Sequence, residues 1–130
     1  MTAQFIWGKK SLYNLEGIHP DLLKVATLAL KLSPHDFQIV DGLRTIEEQK
    51  INVAKGFSKT MRSRHLTGHA IDFAVLNSGH IDWYDIGNFV VISIAFQQAA
   101  DQLKIKIERG ATWKWKDYGH IQLDWGAYPK

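Results

Sequence analysis

Residues 83–103 (WYDIGNFVVISIAFQQAADQL) carry the longest apolar helical pattern in the chain, and they constrain its fold more than any other segment. Ile86, Phe89, Val90 and Ile94 recur at helical spacing, while Val91, Ile92, Phe96 and Ala99 widen the stripe beyond one face. A helix this apolar has to lie centrally, with neighbours on more than one side. Asp82 is placed to cap its start. The apolar run around Phe89 and Phe96 is interrupted by Ser93 and falls well short of the about 20 residues a bilayer span needs. Stable membrane insertion is therefore not expected.

The surrounding elements follow from periodicity. Pro20 and Asp21 suit the first turn of a helix whose core stripe is Leu22, Val25, Ala26, Ala29 and Leu30, and Ser33-Pro34 ends it. Residues 37–40 read as a short strand leading into Asp41-Gly42-Leu43-Arg44. Thr45-Ile46-Glu47-Glu48 has the form of a capping box, opening a helix that runs to about Ala54 and stops at Gly56. Residues 56–64 (GFSKTMRSR) have no periodicity and three basic side chains, which predicts an exposed loop. Residues 70–75 predict a strand, Asn77-Ser78-Gly79 a turn, and residues 104–108 and 119–125 two further alternating strands. Helices and strands without a βαβ rhythm predict an α+β fold: a small, largely antiparallel sheet with helices packed against it.

At 130 residues the chain suits one domain, residues 1–130, with no internal repeat or linker. With 45% hydrophobic and 22% charged residues it is not a disordered solvating chain. The absence of cysteine excludes disulfides and thiolate metal sites, so a metal would need imidazole and carboxylate ligands, for which six histidines are available. A net charge of +3, with no dense basic stripe, disfavours a nucleic-acid partner. The start (MTAQFIWGKK) lacks the apolar core and cleavage site of a signal peptide, so synthesis and folding in the cytoplasm are expected.

Strand alternation makes a geometric argument about chemistry. Ile71, Phe73 and Val75 share one face, so Asp72 points the other way, beside Ala70 and Ala74. In the last strand Ile121, Leu123 and Trp125 share the apolar face, leaving His120, Gln122 and Asp124 opposite. If these strands pair, Asp72 and His120 meet, and His65 from the preceding loop completes a set. Two imidazoles and one carboxylate are a catalytic zinc set with a fourth position open. Asp117, three residues before His120, is well placed as a general base towards water. Asp124 projects from the same face but several ångströms further on.

Two segments, Ser63-Arg64-His65-Leu66-Thr67-Gly68-His69-Ala70-Ile71-Asp72 and Trp113-Lys114-Trp115-Lys116-Asp117-Tyr118-Gly119-His120, resemble the zinc peptidases that cut peptidoglycan stem peptides. That group holds D-alanyl-D-alanine carboxypeptidases and phage L-alanyl-D-glutamate endopeptidases, with the pattern S-x-H-x6-D followed downstream by [DE]-x-x-H. The likeness is closest to the phage endolysin branch, adding residues 14–22 (NLEGIHPDL) and 41–45 (DGLRT), and it spans residues 5–123. It implies a D-alanyl-D-alanine peptidase/hedgehog-like fold with one Zn2+ per chain on the polar face of the sheet. His65, Asp72 and His120 become the zinc ligands and Asp117 the catalytic base. Arg44 becomes a substrate-binding or oxyanion-steadying residue, and Ser63 a cleft residue near the metal. The short, tryptophan-rich stretch at residues 110–117 departs from the family pattern, which bears on the cleft wall and on the bond cut.

Several residues have plainer readings. Arg44 can pair with Asp41 or Glu47 at a helix start. His69 sits four residues after His65, but Gly68 and the following strand argue against helical ligand spacing, leaving it a supporting place behind the ligands. His19, His35 and His80 read as structural or solvated, and Asp124 as a surface carboxylate. Trp113 and Trp115 either line a groove for sugars or peptide, or pack while Lys114 and Lys116 stay solvated. The resemblance implies a zinc endopeptidase cutting the L-alanyl-D-glutamate bond and lysing the wall as a phage or prophage endolysin. A D-alanyl-D-alanine carboxypeptidase and a non-catalytic wall-binding module are the alternatives. A monomer is expected, released from the host cytoplasm to periplasmic peptidoglycan through a holin-type pore.

Overall fold

The computed structural model describes residues 5–56 and 63–129. Among the described residues four helices and five strands alternate irregularly: α1 (Lys9–Asn14), α2 (Pro20–Leu32), β1 (Phe37–Asp41), α3 (Ile46–Ala54), β2 (Ala70–Asn77), β3 (His80–Ile81), α4 (Ile86–Leu103), β4 (Ile107–Arg109) and β5 (His120–Leu123). Short 3₁₀ turns cover Arg64–Thr67 and Gly110–Thr112. The sheet order is β1-β2-β5-β4, with β3 folded back on the end of β2, and every pairing is antiparallel. This is the α+β architecture that the mixed periodicities predict.

One apolar cluster holds it together. Leu22, Val25, Ala26, Ala29 and Leu30 of α2 are buried with Phe89, Ile92, Phe96, Ala99 and Ala100 of α4, against Phe37, Ile39, Ile71, Phe73, Val75, Ile121 and Leu123 of the sheet. Phe73 lies at its centre, with ring centroids 5.4 Å from Phe96 and 5.6 Å from Phe37. Truncating such a side chain to alanine costs about 3–5 kcal/mol. Because the side-chain period of a strand is two, burying Ile71, Phe73 and Val75 on this face commits Asp72 to the other.

The capping box of α3 forms as the sequence predicts, with Thr45 Oγ1 accepting from Glu48 N and Glu48 Oε1 from Thr45 N. Gly56, at φ 77°, follows the helix in the left-handed region. Other expectations are corrected. The central helix starts at Ile86, capped by Asp85 and not Asp82, because Asp85 Oδ1 takes the Asn88 N–H. It is also less enclosed than its composition suggests, since Ile86 and Ile94 remain exposed. Lys104 turns left-handed at φ 57°, which delays the next strand to residue 107. Trp125 lies past the end of β5, exposed and stacked 4.0 Å from the Arg64 guanidinium, not on the core face.

Arg64 overturns the exposed-loop expectation where that segment is described; residues 57–62 lie outside the described residues. It is 3% exposed, and its Nη2 donates to the carbonyls of Leu123 and Tyr128. The chain just before the first candidate ligand is thereby tied to the end of β5.

Candidate metal centre

β2 and β5 bring the first two candidate ligands together directly: Asp72 and His120 are register partners. His65 arrives on the 3₁₀ turn Arg64–Thr67, whose start is capped by Ser63 Oγ accepting from His65 N. Gly68 ends that turn at φ 72°, and a Cβ there would lie 2.6 Å from the Gly17 carbonyl oxygen, so both conformation and space require glycine. His65 is held twice by the segment after β1. Its carbonyl accepts from Arg44 N at 2.9 Å, and its Nδ1 lies 2.8 Å from the Gly42 carbonyl. The β1–β2 register slips by one residue between Ile39 and Asp41, and this bulge sets Asp41 opposite Asp72 and turns the chain towards Gly42.

Tautomers decide what this cluster can hold. His65 Nε2 is 3.2 Å from Asp72 Oδ2, and His120 Nδ1 is 3.0 Å from Asp72 Oδ1. The opposite nitrogens face acceptors: the Gly42 carbonyl for His65 and Gln122 Oε1, at 2.8 Å, for His120. Each neutral ring carries its proton there and turns a lone pair towards Asp72. Two lone pairs and a carboxylate thus converge, all ligand atoms within 4.8 Å of one another. Such a set can hold a cation between its members, and two imidazoles with one carboxylate suit zinc with a fourth position open.

The charges agree. Burial alone would raise the Asp72 carboxyl, but hydrogen bonds and charge from His120 and His65 prevail and hold it well below its ordinary range. Burial alone would lower His120, but the hydrogen bond and charge of Asp72 raise it. Asp117 stands beside the cluster, its Oδ2 4.0 Å from His120 Nδ1. Its carboxyl is raised, first by partial desolvation and then by the Asp72 charge. Its amide donates to the Gly110 carbonyl and its own carbonyl accepts from His120 N, which fixes its place before β5. A cleft of about 530 Å³ opens here, its lining including Asp41, Asp72 and Asp117 together with Trp83, Ile86 and Phe89.

The remaining candidates fall into place around it. Arg44 is pinned by an ion pair to Asp41 and a 2.6 Å bond from Nη1 to Gln49 Oε1, so the plainer Asp41 pairing is the one formed. Ser63 spends its hydroxyl on the His65 turn. His69 stands outside the cluster, its Nδ1 2.6 Å from Thr67 Oγ1 and its ring 5.2 Å from His19. His19 caps α2 by accepting from Asp21 N, and His35 Nε2 meets the Leu76 carbonyl and Asn77 Oδ1. Asp124 turns away from the site to accept from the amides of Gly126 and Ala127. Trp113 touches the site, 5.0 Å from the His120 ring, whereas Trp115 is 81% exposed.

Sequence reasoning missed Gln122 as a partner of His120, although its place on the polar face beside His120 was the available signal. It also missed the Gly42 carbonyl, because a backbone acceptor leaves no mark in residue type. A Cβ at Gly42 would stand 1.9 Å from the Asn14 carbonyl oxygen, which is why α1 can press against this turn.

Comparison with known proteins agrees with this geometry. Residues 3–127 match the family model of the phage L-alanyl-D-glutamate peptidases. The L-alanyl-D-glutamate peptidase of Escherichia phage T5 is 42% identical over 127 residues, covering 95% of this chain and 93% of that protein. The L-alanyl-D-glutamate peptidase of Listeria phage A118 is 34% identical over 95 residues, 69% of this chain but 31% of that longer protein. The crystal structure of the Serratia marcescens L-Ala D-Glu endopeptidase ChiX superposes with a TM-score of 0.91 at 39% identity, over 98% of this chain and 96% of that one. With its paired histidines and carboxylate set on the polar face of the same fold, this chain belongs to the phage L-alanyl-D-glutamate peptidase family.

Proposed function

We propose that this protein is a zinc-dependent endolysin that hydrolyses the L-alanyl-D-glutamate bond of the peptidoglycan stem peptide and so lyses the cell wall. The convergence of His65, Asp72 and His120 on one cation position, beside a cleft that exposes Asp117, carries this reading. When bound, zinc supplies Lewis acidity that polarises a carbonyl and makes water a competent nucleophile near neutral pH. Asp117 accepts the proton of the attacking water as it adds to the alanyl carbonyl, then delivers it to the departing amine of D-glutamate. Its raised carboxyl suits this two-way transfer, since a very acidic group returns a proton poorly. Arg44, anchored by Asp41 and Gln49, keeps N–H donors beyond those two bonds and a charge suited to substrate binding or to the developing oxyanion. Ser63 serves by holding the turn that presents His65.

Among the described residues no helix is long and apolar enough to cross a membrane. The enzyme on this reading acts as a monomer after release from the host cytoplasm, through a holin-type pore supplied by another protein. Expression without such a pore is expected to leave cells intact until they are permeabilised.

Digestion of purified peptidoglycan, with and without a chelator, tests the function. A new L-alanine carboxyl terminus that disappears on chelation is expected, whereas release of free D-alanine would mark a carboxypeptidase instead. Asp117→Asn is expected to retain zinc while activity falls about 10²–10⁴-fold; full activity in this variant would remove Asp117 from the mechanism.

A further inference from the structure

We infer that Lys116 recognises the free carboxylate of the D-glutamate on the leaving side of the scissile bond, an assignment that rests on the function proposed above. The substrate chemistry demands such a group. A glutamate joined to alanine through its amine, and continuing the stem through one of its two carboxyls, keeps the other as an anion. The cleft is otherwise hostile to it, because Asp41, Asp72 and Asp117 all line the same space. Lys116 is the single cation among the described residues lining that cleft. Arg44 is not among those lining residues, and Asp41 and Gln49 take two of its guanidinium N–H groups.

Position makes the match specific. Asp117 returns its proton to the departing amine, and that amine belongs to the D-glutamate itself. Lys116 immediately precedes Asp117 on the same rim, so a carboxylate held there lies a few bonds from the nitrogen that Asp117 serves. Lys116 Nζ donates to the carbonyls of Ala111, at 3.2 Å, and Trp113, at 3.4 Å. An ammonium has three N–H donors, so these two bonds hold it at the rim and leave the third for a ligand. Trp83, Ile86 and Phe89, which also line the cleft, carry no competing charge and suit apolar parts of the substrate.

The test uses the full chain loaded with zinc and two soluble stem peptides, one with the free D-glutamate carboxylate and one with that group as carboxamide. The wild-type protein is expected to show a KM about tenfold higher on the amide, with kcat little changed, the scale of one partly exposed charge-assisted hydrogen bond. Lys116→Met should raise KM on the acid peptide by the same factor and leave the amide peptide unaffected, with Lys116→Arg restoring much of the preference. The amide peptide serves as the internal control for folding and zinc content. Equal wild-type KM values on the two peptides, or an equal loss on both in Lys116→Met, would overturn the assignment while leaving the proposed function standing. Failure of the wild-type protein to cut either peptide would overturn both.

Discussion

Two pairs of histidines face each other in this protein at almost the same separation. The rings of His65 and His120 have centroids 5.3 Å apart, and those of His19 and His69 5.2 Å apart. What separates them is the chemistry around the rings. Between His65 and His120 stands Asp72, and each outer ring nitrogen meets an acceptor that fixes the inner lone pair. Around the other pair, His19 Nδ1 accepts an amide at the start of α2, His69 Nδ1 is paired with Thr67, and the nearby Asp21 carboxylate accepts from the Tyr128 hydroxyl. Their charges move oppositely too. Asp72 raises His120, whereas burial first, and then Arg64 and His19, lower His69. Ring spacing alone therefore does not make a metal site; a carboxylate between the rings and acceptors behind them do.

The largest effect should come from deleting ligands. His65→Ala or His120→Ala is expected to abolish bound zinc, read by elemental analysis, and wall lysis with it. His19→Ala and His69→Ala should keep both, with His19→Ala costing about 1 kcal/mol of stability through its lost cap. Retention of zinc in the first pair of variants, or its loss in the second, would erase the distinction. A smaller effect should follow from Gln122→Leu, which strips His120 of the acceptor behind it. Zinc affinity should then fall about 10–100-fold, measured by chelator competition. The smallest effect concerns stability. His69 is held below its ordinary pKa of 6.5 in the folded state, so the unfolded chain takes up a proton first as pH falls. Its contribution is complete above that value and lost on acidification below it. Urea midpoints should accordingly drop less in His69→Gln than in the wild-type protein as pH is lowered; an identical or steeper drop would contradict this.

Much of the site was legible because strand periodicity is strict. Once Ile71 and Phe73 were assigned to the core, Asp72 had to face away, and the same logic placed His120 and Gln122. The pairing of β2 with β5 could only be conditional, since no local pattern reports which strands become neighbours. Arg64 was illegible for the same reason. A basic residue in a basic stretch looks solvated, and its burial depends on the Leu123 and Tyr128 carbonyls, 59 and 64 residues away. The start of the central helix turned on two aspartates three residues apart, either chemically able to cap. Asn77 binds both carboxylates, and only the backbone path gives Asp85 the free amide.

The bond between the Gly110 carbonyl and the Asp117 amide has a consequence for how such an enzyme can diversify. It pinches residues 111–116 at their base, and a Cβ at Gly110 would stand 2.0 Å from the Asp117 carbonyl oxygen, so the clasp admits glycine and little else. A loop closed in this way can lengthen, shorten or change composition while the residues outside the clasp keep their positions, since each doubling of its length adds only about 0.6 kcal/mol of closure cost. Asp72 and His120 stay on their paired strands whatever that segment holds, so an engineer can vary residues 111–116 beside the cleft without moving either.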